Sequence, residues 1–391
     1  MAEFAWPTPP DDPGQLARVS VDPAGLLRFW QTHYAERYIP AGGSKFKWIV
    51  GRPGSGKTHA LRMLAAMATQ AGLLAVSLDA ETSSIRGIQE LMRSVLAGLD
   101  PDRITVPLAH RVMQAMGYEA AEAPAPRSFV TWLVEARGRI RDAAVRDVRE
   151  GVDRVVGALD IDLGLKAAMS LAVADQLGAA HIDAPTLYAW LRGESLKRTV
   201  MMNLGIAQAL NKQNARSILQ GWGVLAQAAG HAGLLIAIDN VQQLLAPRDP
   251  DRAVVHYTRL GRTEAFEMFR ELIDGADALS GIWFVLASRP ELFDDARLGV
   301  KSYPALAARV STEVEATEVN RFLDWVNWDE LYRSDRAALA TLVQRWADAL
   351  GVLAPEPVVE TGVESPVRRS VAAVLRQAQQ KGEADDATDQ G

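Results

Sequence analysis

Hydrophobic positions along the chain fall into two kinds of pattern. Short apolar runs occur at Lys47–Val50, Leu73–Leu78, Gly233–Asp239 and Gly281–Ser288; nearly unbroken runs of that length suit parallel strands buried on both faces. Elsewhere apolar residues recur with a helical period. Leu26, Leu27, Trp30 and Tyr34 predict a helix over Pro23–Tyr38, and His59–Ala71 predicts a long one ended by Gly72. Ile85, Ile88, Leu91, Met92, Val95 and Leu96 place one face of a helix within Ser84–Leu99. Phe266, Phe269 and Ile273 do the same for Thr263–Asp274, whereas Pro247 and Pro250 make Gln242–Gly261 a loop.

These patterns divide the chain. Residues 1–22, rich in Pro and Asp, read as an extended arm, and 23–99 as the first, β-α-β-α part of a core. Residues 100–230 show no sustained strand alternation and read as a helical insertion; 231–318 resume the core. Residues 319–380 read as a C-terminal helical region whose Trp325, Trp328 and Trp346 serve as core, and 381–391 as an acidic, disordered tail. The expected class is α/β, a parallel sheet flanked by helices, with a large helical insertion and a C-terminal helical region.

The chemistry lies in Gly51-Arg52-Pro53-Gly54-Ser55-Gly56-Lys57-Thr58, a match to G-x-x-x-x-G-K-[ST] between a predicted strand and a predicted helix. Gly51, Gly54 and Gly56 let the backbone turn its N–H groups toward a triphosphate, and the following helix adds its unpaired N-terminal N–H groups. With Pro53 and Ser55, these residues form the expected ATP loop. Lys57 would reach the β- and γ-phosphates and the Thr58 hydroxyl would ligate Mg²⁺. Downstream, Gly233–Asp239 is an apolar strand ending in a carboxylate, so Asp239 is the expected second Mg²⁺ residue, acting through water.

Composition narrows the alternatives. The chain of 391 residues has 48% hydrophobic and 23% charged residues, as globular proteins do, and no apolar run long enough for a membrane span. No secretory signal is expected in Met1–Pro7. Without cysteine there is no disulfide or thiol chemistry, and a cytoplasmic location is expected. The six histidines show no zinc spacing. A net charge of −6 disfavours general attraction to nucleic acid. The arginines of Val134–Val156 are interleaved with carboxylates, as on a solvated helix, with a nucleic-acid contact the alternative reading.

The order of motifs resembles a known family. The P-loop, Leu187–Glu194 (L-Y-A-W-L-R-G-E), the G-L-L-I-A-I-D strand and the run from Ser288 to Val310 together are similar to the BREX phage-defence ATP-binding proteins, BrxD-like, over roughly residues 40–330. The resemblance implies a P-loop NTPase (AAA-like) fold and other defence proteins as partners, a helicase among them. It also implies a homo-oligomer, with DNA contact open. In such ATPases the place of Ser288 carries a sensor of the γ-phosphate, and the region of Arg309 supplies an arginine finger to a neighbouring protomer, with Arg289 the next choice. Two departures stand out: the family's Asp-Glu reads Asp239-Asn240 here, and its Gly-Thr-Pro reads Ser288-Arg289-Pro290. An amide at Asn240 cannot take a proton from water, so Mg-ATP binding with weak or no hydrolysis is expected. That suits a nucleotide-gated assembly factor or switch. An active ATPase working with a helicase on DNA, or a structural subunit, are the alternatives.

Overall fold

The computed structural model describes residues 12–119, 124–180, 182–311, 320–358 and 364–389. Helix α1 (Pro13–Val19) and α2 (Leu26–Trp30), the latter continued by wider turns over Gln31–Tyr38, precede β1 (Lys45–Val50). Then come α3 (Lys57–Gln70), β2 (Leu73–Asp79), α4 (Ile88–Ala97) and α5 (Asp102–Ala115). The insertion continues with α6 (Phe129–Glu135), α7 (Arg141–Val152), α8 (Leu163–Gln176), α9 (Ala184–Leu191), α10 (Arg198–Asn203) and α11 (Ala215–Ala228). The core resumes with β3 (Gly233–Asp239), α12 (Arg259–Asp274), β4 (Ile282–Ser288), α13 (Glu291–Asp294) and α14 (Pro304–Ser311). It closes with β5 (Trp325–Asn327), α15 (Trp328–Ser334), α16 (Arg336–Leu350) and α17 (Pro366–Asp389).

Among the described residues the strands form one five-stranded sheet in the order β2-β3-β4-β1-β5, every neighbouring pair parallel. All the strands therefore end on one edge, where β1 runs into Gly51–Thr58, β2 ends at Asp79, β3 at Asp239 and β4 at Ser288. Period-two alternation sorts the side chains. Ile49, Leu235, Ala237, Trp283, Val285 and Ala287 pack with α2, α3 and the C-terminal helices. Trp48, Val76, Leu78, Ile236, Ile238 and Leu286 pack on the other face with the insertion and α12. β3 and β4 are buried on both faces, which is why they read as unbroken apolar runs, whereas the edge strand β2 exposes Ser77 on one face.

Four expectations need correction. The segment read as an extended arm holds helix α1, begun by Asp12, whose carboxylate accepts from the Gln15 N–H; residues 1–11 lie outside the described part. The C-terminal region is not purely helical, since β5 joins β1 through Trp48↔Trp325 to Val50↔Asn327. The stretch read as a disordered tail continues α17 as far as Asp389. The arginine-bearing segment 134–156 is broken between α6 and α7. No helix among the described residues is long and apolar enough to cross a membrane.

Candidate functional site

The loop after β1 has the backbone its glycines allow. Gly54 and Gly56 have φ of 76° and 90°, the left-handed region that costs other residues energy. A side chain on Gly54 would strike the Arg368 side chain, which lies across the loop from α17. The Lys57 ammonium donates to the Gly51 and Arg52 carbonyls at 2.7 and 3.0 Å. Burial pulls its pKa down to about 8 against the opposing pull of Asp239 and Asp329. The charge is thus partly desolvated and held within the loop, where an anion would complete its environment.

The fold brings Thr58 and Asp239 together. The Thr58 hydroxyl donates to Asp239 Oδ2 at 2.5 Å, linking the start of α3 to the end of β3 past the intervening β4. Asp239 Oδ1 accepts from the Asn240 N–H at 2.7 Å, and burial raises the carboxyl's pKa. A hydroxyl and a carboxylate paired beside a buried lysine form an all-oxygen set, which fits Mg²⁺. Thr58 would hold the ion directly and Asp239 through water, and the bound ion would neutralise phosphate charge.

Ser288 is placed differently. It is fully buried, and its hydroxyl accepts from the Trp48 indole N–H at 3.0 Å. Trp48 belongs to the face of the sheet opposite α3. By alternation Ser288 shares that face, while Asp239 shares the face of α3. Arg289, one position on, is exposed, and its charge adds to the depression of the Lys57 pKa. Arg309 is on α14 and forms a fork with Asp274, Nε to Oδ1 at 2.5 Å and Nη2 to Oδ2 at 2.7 Å. Asp274 ends α12 shortly before β4 begins, so the pair lies toward the opposite edge of the sheet from Asp239.

Other participants carry no motif in the sequence. Asp329, only 4% exposed, comes from α15 and accepts the Arg52 N–H at 2.7 Å, bracing the loop. Its other oxygen is buried without a described hydrogen bond, as is the indole nitrogen of Trp328, which lies near Gly56. Beside the loop is a cavity of about 300 Å³ that reaches Gly56 and Lys57, with Leu27, Met63, Leu342 and Trp346 among its apolar walls. At the end of β2, Asp79 accepts both Asn240 Nδ2 contacts, at 3.2 and 3.1 Å.

A family model described as BREX system ATP-binding protein BrxC/D matches residues 133–348. The matched span includes Asp239, Asn240, Ser288 and Arg309, while Gly51–Thr58 precede it. No curated protein and no solved structure matches the chain.

Proposed function

The chain belongs to the family of BREX system ATP-binding proteins BrxC/D, and from that membership we propose that it binds Mg-ATP at Gly51–Thr58 and Asp239 as a nucleotide-gated subunit of a phage-defence assembly. The observation that carries the reading is the Thr58–Asp239 contact beside a lysine curled into the loop. Two segments far apart in sequence converge there on the donor set that a magnesium–triphosphate needs. Gly54, Gly56, Lys57 and the N-terminus of α3 would hold the triphosphate, and the apolar cavity between α2, α3 and α16 would have room for the base.

This arrangement supports a P-loop NTPase of the AAA-like kind, in which the C-terminal helices report the nucleotide state. Arg368 lies over Gly54 and Asp329 braces Arg52, so nucleotide binding would be felt directly by α15 and α17. Those helices offer a route by which ATP could change contacts with other copies of the chain or with other defence proteins, a helicase included. A cytoplasmic site of action follows from that role.

The deciding experiment is Lys57→Ala with a fluorescent ATP analogue. Losing charge-assisted bonds to phosphate should weaken binding by about 10–100-fold, with the fold intact by circular dichroism. Unchanged affinity would remove the site from this loop.

A further inference from the structure

We propose that the Asp79 carboxylate orients and deprotonates the water that attacks the γ-phosphate, and that Asn240 is the positioning residue that aims it. The inference rests on the ATP-site reading above and adds a catalytic residue to it. The problem it answers is the missing base: β3 ends in Asp239, whose Oδ2 is held by Thr58, and the next residue is an amide.

The end of β2 supplies a carboxylate in that neighbourhood. Asp79 is paired in register with Asp239 on the adjacent parallel strand, one strand spacing of about 4.8 Å away. By alternation it shares the face of the sheet that carries α3, since Leu73 packs there while Leu74, Val76 and Leu78 pack on the other. Its side chain is half-buried and held in place. Oδ1 accepts from the Glu81 N–H at 2.8 Å, and the Asn240 amide spans both oxygens.

Asn240 makes this possible through its backbone. Its φ of 56° is left-handed, a conformation Asn tolerates better than most residues. A residue continuing β3 in extended form would point to the opposite face; the turn brings the amide to Asp79 instead. Gln242 Nε2 donates to Asn240 Oδ1 at 3.0 Å, and Gln242 Oε1 accepts from the Arg289 N–H at 3.2 Å. The ends of β2, β3 and β4 are thereby joined by one polar chain that leads from Asp79 to the exposed Arg289.

Rival carboxylates are less well prepared. Asp329 is buried against Arg52, and Glu81 pairs with Arg252 at 3.4 Å. Glu291 is near enough to act on the Lys57 charge, but no described hydrogen bond orients it. In the proposed step the water oxygen bonds to the γ-phosphorus as the bond to the β,γ-bridging oxygen breaks. ADP leaves with that electron pair, and the water proton passes to Asp79 and on to phosphate or solvent.

The test compares the full chain with Asp79→Asn and Glu291→Gln. Asparagine can still accept from the Asn240 amide, so Asp79→Asn should fold and should bind a fluorescent ATP analogue within about threefold of the parent. Phosphate release at saturating Mg-ATP should fall by about 100-fold or more. Affinity for ADP with aluminium fluoride, which holds the attacking water in place, should fall with it, a readout that needs no turnover. Glu291→Gln should change neither. If Asp79→Asn releases phosphate within threefold of the parent, or if the parent binds ATP but shows no release and the variant captures ADP–aluminium fluoride equally well, the role of Asp79 is refuted and the binding site stands. A parent that binds no nucleotide would overturn both.

Discussion

Thr58 Oγ1 and Asp239 Oδ2 are hydrogen-bonded at 2.5 Å although 181 positions separate them. The rest of α3, β2 and the helical insertion intervene in sequence, yet the sheet returns the end of β3 to the level of the loop. An Mg²⁺ held there would draw on both oxygens. Asp239→Asn should therefore lower the magnesium-dependent part of ATP affinity by about tenfold or more, while affinity measured in a chelator stays close to the parent's. Titration of a fluorescent ATP analogue with and without Mg²⁺ checks this, and an equal loss in both conditions would assign Asp239 a structural role.

A second expectation concerns Asn240. From the sequence, Asn240→Glu should restore a base and raise hydrolysis. The contact with Asp79 reverses that expectation. Glutamate would set two carboxylates against each other, so that one is driven toward its protonated form. It would also have to adopt φ near 56°, at a cost of about 1–2 kcal/mol. The variant should melt earlier and release phosphate no faster than the parent. Faster release at unchanged melting temperature would show that the base belongs on β3.

How much of this was legible follows from how local each signal is. The loop, β3 and the helix after the loop were readable because glycine spacing and apolar runs are contiguous. β5 was not, because three residues carry too little pattern and its partner β1 is remote in sequence. Ser288 was readable as a strand end but not as a buried one; the face it occupies depends on its register against Trp48. Asp79 looked like any polar residue closing a strand, and only the β2–β3 pairing sets it beside Asp239. Asp329 and Arg368 arrive from helices with no motif at all.

Arg309 offers a direct test of assembly. Its guanidinium is held by Asp274 on its own chain, next to the Glu267–Arg270 pair. To serve as a finger it would have to leave that fork for a neighbour's phosphate. The expected result is that Arg309→Ala keeps any ATP-dependent increase in mass seen by light scattering. Loss of that increase, with monomer affinity for ATP unchanged, would show that the fork opens on assembly.

The last prediction is acid sensitivity set by His59. This residue follows Thr58 on α3, and its Nε2 is hydrogen-bonded to the Ser20 hydroxyl. That hydroxyl donates to the Leu16 carbonyl, so it accepts from His59, which fixes the neutral ring with its proton on Nε2. The contact ties the end of α1 to the helix that begins at the glycine loop. Burial, helped by the charge of Arg62, lowers the His59 pKa to about 4 from an ordinary 6.5. The folded value lies below the unfolded one, so as pH falls the unfolded chain takes up the proton first. This contribution to stability is complete above pH 6.5, declines between 6.5 and 4, and changes no further below. The full decline is on the order of 3 kcal/mol. His59→Gln retains an amide donor for Ser20 without titrating, so its stability should fall less over that window. Urea unfolding of parent and variant at pH 7, 5.5 and 4.5 measures the difference, and parallel losses in the two proteins would place the acid-sensitive group elsewhere.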